Sequence, residues 1–516
     1  MRPETVAIYQ NGKASYPTQP PFHPDTNYPE YEGKTSQEPN SAYEMVRSVF
    51  QISGLDRENY GTKKWDPLRD LIRPGDVVLL KPNMLSAKHP RLADGWKCVI
   101  THGSIIRAVA DYVCKALKGQ GKIVVADGPQ PETPFSEICE VLGLERVADF
   151  FNQRGVDFEP VDLRKTERFI KSEIVVSARR LPGDPFGYVT FDLAGLSEFV
   201  NHDGAGRYFG ADYDSSEVNQ QHRNGCHKYE LSGTAIRCDV FFNLPKLKTH
   251  KKVGVTLSLK NLVGVNGNRN FLPHHTDGDP SNGGDQFPLA GLKNASERQI
   301  VYLMRRLSRT IPHIGPWVHG QARKVGKQIY GTEEETIRSG NWHGNDTAWR
   351  MCLDLNKIVL YGNPDGTLRS AEPFERKRYL SLVDGVLGGE GSGPFNPDPV
   401  ASGIVVFGLN PAYVDATSAY LMGFDPDKIP VIRQAFSCEE YELTDRPWRD
   451  IHCVSNAPQW NGRLVGIPDH STYLFKPHYG WQGHIERGLE CGPSVKIINR
   501  SESLALADNS LRGRVD

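Results

Sequence analysis

The densest chemistry in the chain lies between Asp239 and Gly264, in the segment DVFFNLPKLKTHKKVGVTLSLKNLVG. An apolar run ends at Pro245, and Lys246, Lys248, His250, Lys251, Lys252 and Lys260 follow. If residues 246–250 stay extended, side chains two apart share a face, so Lys246, Lys248 and His250 line up together. Ammonium groups placed there would hold a phosphate or a carboxylate, and an imidazole beside them would move a proton near neutral pH. A solvated basic loop is the plain alternative, but the apolar residues of GVTLSLKN bury its surroundings. On this reading Lys248 and His250 are catalytic candidates, and Lys246, Lys260 and Asn261 bind the substrate.

A second cluster, LPHHTDGDPSNGGD, puts His274, His275, Asp277, Asp279 and Asp285 within fourteen positions. These are ligand types for a divalent metal, although neither HExxH nor an EF-hand glutamate is present. Neighbouring side chains on an extended segment point apart, so one of the two histidines would serve a given ion. A third segment, DGVLGGEGSGP, reads as a tight loop presenting Asp384 and Glu390 to a cleft as acid–base counterparts of His250. Asp415, in NPAYVDA, is counted as a further carboxylate and a metal candidate. The strand end KPNML offers Lys81 and Asn83, with Asp127 after the next strand. Arg207 in GRYFGADYD and Arg350 in GNWHGNDTAWR are bidentate anion binders in principle.

The elements that would position these residues are short apolar strands alternating with helices. DVVLLKPN, KIVVADGP and CDVFFNLP read as buried strands, and THGSIIRAVADYVCKALKGQG has helical apolar spacing (Ile105, Val109, Val113, Leu117) closed by glycine. That pattern predicts an α/β fold: a mostly parallel doubly wound sheet with irregular β-rich insertions and a helical insertion. Open sheets of this kind place ligands at the carboxyl ends of their strands. The expected divisions are an N-terminal strand and Pro-rich arm over 1–74 and a first α/β unit over 75–156. A β-rich segment with the LPKLKTH stretch covers 157–294, and a basic helical insertion 295–345. A second α/β unit over 346–436 and a C-terminal extension over 437–516 complete the chain. TYLFKPH and SVKIINR, in that extension, have the spacing of strands.

Composition narrows the function. Among 516 residues, 61 Lys and Arg face 62 Asp and Glu, a net charge of −1 that argues against a nucleic-acid binder. No run of about 18 apolar residues suggests a membrane span, and the first residues are too polar for a secretory leader. The nine cysteines include no CxxC pair, which disfavours both a disulfide framework and an iron–sulfur cluster and suggests reduced thiols in a cytoplasmic protein. P-loop, GxSxG and HRD signatures are missing too. The 50 glycines and 36 prolines predict many ordered loops.

KPNML, ADGP, LPKLKTH with GVTLSLKNLVG, and VDGVLGGEGSGP with NPAYVDA resemble the domain of unknown function 362 family over about residues 75–435. GADYD, LPHH…GGD and GNDTAWRMCLDLN are similar to its longer branch. Some members carry a ferredoxin-like segment with CxxC runs, which this chain lacks. A looser, local similarity links LPKLKTH and LSLKN to the nickel-pincer lactate racemase family, where Lys and His residues serve the cofactor and shuttle protons. That similarity implies such roles for Lys248 and His250.

Together these readings predict an enzyme acting on a small anionic metabolite, a hydroxy acid or a phosphorylated or nucleotide-linked sugar. Its chemistry would be of isomerase, epimerase or transferase type, with a divalent metal as candidate cofactor. The competing readings are a non-catalytic anion- or sugar-phosphate-binding assembly protein and a redox or cofactor-maturation protein. The arm or the 295–340 insertion would be the oligomer contact.

Overall fold

The computed structural model describes residues 2–171, 174–210, 215–289, 337–372 and 376–488. Most of the expected helical insertion, SVKIINR and the polar tail lie outside the described residues.

One twelve-stranded sheet organises the chain. Its strands are β1 (Thr5–Gln10), β2 (Val77–Pro82), β3 (Lys122–Asp127), β4 (Asp157–Asp162), β5 (Val240–Leu244), β6 (Lys246–His250), β7 (Gly254–Val255), β8 (Arg378–Ser392), β9 (Asn396–Val400), β10 (Ile404–Gly408), β11 (His452–Ser455) and β12 (Gly462–Arg463). The order is β12-β11-β1-β10-β8-β5-β2-β3-β4, with β6 and β9 also pairing β8, and β7 pairing β6. The run β8-β5-β2-β3-β4 is parallel throughout. From β2 the chain winds outward to β3 and β4, then returns to the other side of β2 for β5 and β8. The winding therefore reverses between β2 and β5, and a crevice opens at their carboxyl ends. The first strand and the last two join the same sheet: β1 lies between antiparallel β10 and parallel β11.

Alternation along the strands builds a core on each face. Val78, Leu80, Val240 and Phe242 point to one side, under helices α1 (Ser41–Ile52) and α2 (Gly103–Leu117). Leu79, Val124, Phe241 and Val383 point to the other, under α4 (Ala348–Tyr361) and α5 (Pro411–Leu421). A short helix, α3 (Ser258–Asn261), closes that second side near the crevice.

Two expectations are corrected. The glycine-rich stretch after Asp384 is not a loop: β8 runs unbroken from Arg378 to Ser392. Glycine is required because a neighbouring strand and a short helix crowd its backbone: a Cβ on Gly385 would lie 2.8 Å from the Ile404 carbonyl oxygen, and one on Gly389 2.9 Å from that of Cys98, in the helix Trp96–Val99. TYLFKPH forms no strand. Its backbone bonds to the end of α5, with the N–H groups of Tyr473 and Phe475 donating to Leu421 and Met422 carbonyls.

Candidate functional site

The crevice between β2 and β5 is lined by the polar ends of both strands, and an asparagine network fixes them. The Asn261 amide nitrogen donates to Asn243 Oδ1 (2.7 Å) and to the Lys81 carbonyl (3.2 Å). Its Oδ1 accepts from Asn83 (3.1 Å) and from Lys81 Nζ (3.2 Å). Asn243 also donates to the Tyr379 hydroxyl (2.6 Å) and the Ser258 carbonyl (2.9 Å). Because α3 is tied to both strands, the residue before Asn261 is held at the crevice. That residue is Lys260.

The lysines of the region divide by whether they have partners. Lys81 is fully buried and pairs with Asp127 at 2.7 Å. Gly264 lies directly on this pair: a Cβ there would sit 1.8 Å from Asp127 Oδ1, so the last residue of LKNLVG must be glycine. Lys246 pairs with Asp384 at 3.0 Å, both side chains fully buried. Tyr16 from the N-terminal arm completes this cluster, donating to Asp384 (2.5 Å) and accepting from Lys246 (2.7 Å). The His102 backbone N–H also reaches Asp384, and the His102 ring stacks on Tyr16 at 4.1 Å. The arm thus packs on its own chain. Among the described residues Lys248 has no carboxylate partner. It donates to the carbonyls of Val99 (2.5 Å) and Pro394 (3.2 Å), and its burial brings its pKa down to about 7.

Lys260 differs from all three. It is only partly buried, and its ammonium makes no hydrogen bond or ion pair with any described residue. Burial and the nearby charges of Arg269 and Lys81 hold its pKa below the ordinary lysine value. Its positive charge is therefore uncompensated among the described residues.

Burial, helped by the charge of Lys260, pushes two imidazoles, His250 and His274, well below the usual histidine range. Their tautomers are opposite. His250 Nδ1 accepts the Lys252 backbone N–H at 3.1 Å, so in the neutral ring the proton sits on Nε2. His274 Nδ1 lies 2.9 Å from the Leu272 carbonyl and must donate, which leaves Nε2 bare. Hence His250 offers an N–H and His274 a lone pair beside the same ammonium. As expected for neighbours on an extended segment, His275 turns the other way. It stacks on Phe209 at 4.8 Å and meets Lys252 Nζ at 3.3 Å.

The other sequence-selected residues lie outside this recess or are committed to backbone. Glu390 accepts the Lys476 backbone N–H (2.9 Å). Asp415 caps α3, accepting from the N–H groups of Ser258 (2.7 Å) and Leu259 (2.8 Å), with its pKa pushed up to about 7 by burial. Asp285 takes N–H bonds from Thr276 and Asp346 and the Thr347 hydroxyl, and burial raises it to about 6. Arg207 donates to the carbonyls of Asp203, Asp277 and Asn282, and Arg350 to Asp346. Asp279 caps its own turn. Among the described residues no three His, Cys, Asp or Glu side chains converge as a metal site would require. Sequence reasoning missed Tyr16 and His102, and gave His274 no proton-transfer role. Asn243 left a signal, a lone amide inside an apolar strand.

A family model described as "Domain of unknown function (DUF362)" matches residues 78–182 and 185–420. The chain belongs to the DUF362 family. The match covers β2 through α5 and so includes Lys81, β6, Lys260 and His274, whereas Tyr16 lies outside it. The thylakoid-associated protein sll1697 of Synechocystis sp. is 28% identical over 259 residues, which is 50% of this chain and 59% of that relative. The chain therefore spans less than two thirds of the curated relative it matches. No helix among the described residues is long and apolar enough to cross a membrane.

Proposed function

We propose that this DUF362 protein is an enzyme that binds a small anionic metabolite at Lys260 and transfers a proton on it with the two facing histidines. The observation that supports the reading is a Lys260 ammonium without a partner among the described residues, whose charge acts on two imidazoles in opposite tautomers. Lys260 neutralises the carboxylate or phosphate of the substrate. The bare Nε2 of His274 accepts a proton from a C–H or O–H next to that group. His250 Nε2–H donates a hydrogen bond to the oxygen where negative charge develops, and the proton held on His274 exchanges with solvent before a proton returns from that ring to the atom it left. Both rings are held neutral by burial, so each can act in its assigned sense at pH 7.

Two features favour proton transfer over passive binding. A binding protein needs only cations and N–H donors, whereas a bare imidazole nitrogen facing an anion is unfavourable unless it receives a proton. The crevice also sits where the winding of the sheet reverses, the common ligand position in such folds. A hydroxy acid or a phosphorylated sugar fits this chemistry.

The test is solvent exchange. Wild-type protein is incubated in D2O with a panel of small α-hydroxy acids and sugar phosphates, and carbon-bound deuterium is followed by NMR. The expected result is enzyme-dependent exchange on one class, abolished in His274→Gln. Anion binding without exchange on any substrate would favour the non-catalytic reading. Exchange that persists in His274→Gln would remove the assigned base.

A further inference from the structure

At the end of the parallel strands opposite to the Lys260 recess lies a cleft of about 540 Å³. It forms where three strands begin. Arg73 precedes β2, Arg237 precedes β5, and Arg376, Lys377 and Arg378 stand at the start of β8, with Arg369 from the loop before it. Among the described residues, Asp239 is the carboxylate that lines it. Six cationic side chains converge in a chain whose net charge is −1.

Among the described residues, four of these cations, Arg73, Arg237, Arg376 and Lys377, form no ion pair with a carboxylate. Arg378 is neutralised by a bidentate pair with Asp76 (2.7 and 2.8 Å). Lys377 is buried and donates to the carbonyls of Ala235, Ile236 and Cys238, with no carboxylate. Arg376 donates through Nε to the Tyr361 hydroxyl, and its Nη2 is buried without a hydrogen-bond partner. Arg73 and Arg237 are exposed, and their side chains make no ion pair among the described residues. Like charges gathered in one hollow repel, and a buried guanidinium N–H without an acceptor costs free energy. Both terms are relieved by one occupant, an anion with several oxygens. Guanidinium forks match phosphoryl oxygens, and the volume is that of an ordinary small-ligand pocket.

We infer that this cleft binds an anion carrying two or more phosphoryl groups, at a site separate from the Lys260 recess. The spread of cations around the hollow requires more than one phosphoryl group to reach them. A soluble polyphosphorylated metabolite and a phospholipid headgroup share this chemistry, and the experiment separates them.

Pyrophosphate binding is measured by calorimetry at low and high salt for the wild type, Arg73→Glu/Arg237→Glu and Lys260→Met. In parallel, flotation is measured with phosphatidylcholine vesicles with and without phosphatidylinositol bisphosphate, whose headgroup carries more than one phosphoryl group. Both reversed arginines are exposed and unpaired, so folding survives the change, which circular dichroism checks. The expected result is salt-sensitive pyrophosphate binding in the wild type and Lys260→Met, weakened about tenfold or more in the double variant. Flotation that depends on phosphatidylinositol bisphosphate and vanishes in the double variant identifies a headgroup as the source, and its absence beside pyrophosphate binding identifies a soluble ligand. Binding of neither probe by the wild type, or equal binding by the double variant, overturns the inference.

Discussion

The division of lysines into partnered and partnerless makes a quantitative prediction. Replacing Lys81 and Lys260 by methionine, which keeps length and an apolar stem, should have opposite consequences. Lys81→Met strands the Asp127 carboxylate in a buried site, where the Gly128 and Met84 N–H groups alone remain to it. It also removes donors to the Pro82 carbonyl and Asn261. Breaking one side of a buried pair costs about 3–5 kcal/mol. Lys260→Met breaks no described bond and removes a charge that burial disfavours, so stability should hold or rise. The effect of Lys260→Met should fall on binding instead. A charge-assisted hydrogen bond to an anion contributes about 1.5–3 kcal/mol, which is roughly 10- to 150-fold in affinity. Urea unfolding followed by tryptophan fluorescence reports stability, and calorimetric titration with malate and inorganic phosphate reports binding. If Lys260→Met proves as destabilising as Lys81→Met, or binds both anions as tightly as the wild type, the assignment of Lys260 is wrong.

Four further outcomes are expected. Asp384→Asn leaves the buried Lys246 ammonium without a counter-charge, and unfolding in urea should show a loss of about 3–5 kcal/mol, with Tyr16→Phe costing less. Asp415→Asn keeps one acceptor oxygen for two N–H groups, so α3 should loosen by about 1–3 kcal/mol, read by the same unfolding curve. His274→Gln should lower exchange turnover by about 10²–10⁴-fold while His275→Gln, whose ring lies on Phe209, changes it little. Anion affinity should be lost as pH rises through a value below 10.5, because the binding form of Lys260 is the ammonium and its pKa is lowered. Affinity that holds constant up to pH 10.5 would exclude that group.

The role of the N-terminal arm could not have been read from its residues. Tyr16 stands in a Pro-rich polar stretch with no periodicity, and the pair it seals lies 230 and 368 positions away. The family match begins after the arm, so the Lys246–Asp384 pair belongs to the matched region while the hydroxyl bonded to both comes from outside it.

What the chain determines by itself is periodic or local. Apolar strands of five or six residues separated by amphipathic helices made the parallel sheet legible, because burial on both faces demands such runs. Spacing by two put Lys246, Lys248 and His250 on one strand, and turned His274 away from His275. Only the tertiary structure decided which of these groups has work left to do. A lysine reads the same in sequence whether its ammonium meets a carboxylate, a ring of carbonyls or open space. Here Asp127 is spent on Lys81, Asp384 on Lys246, and Asp415 on a helix end, while the Lys260 ammonium meets no carboxylate among the described residues. The physical reason is that charge compensation is a property of distance through space, fixed by how strands 40 to 160 residues apart are brought into register.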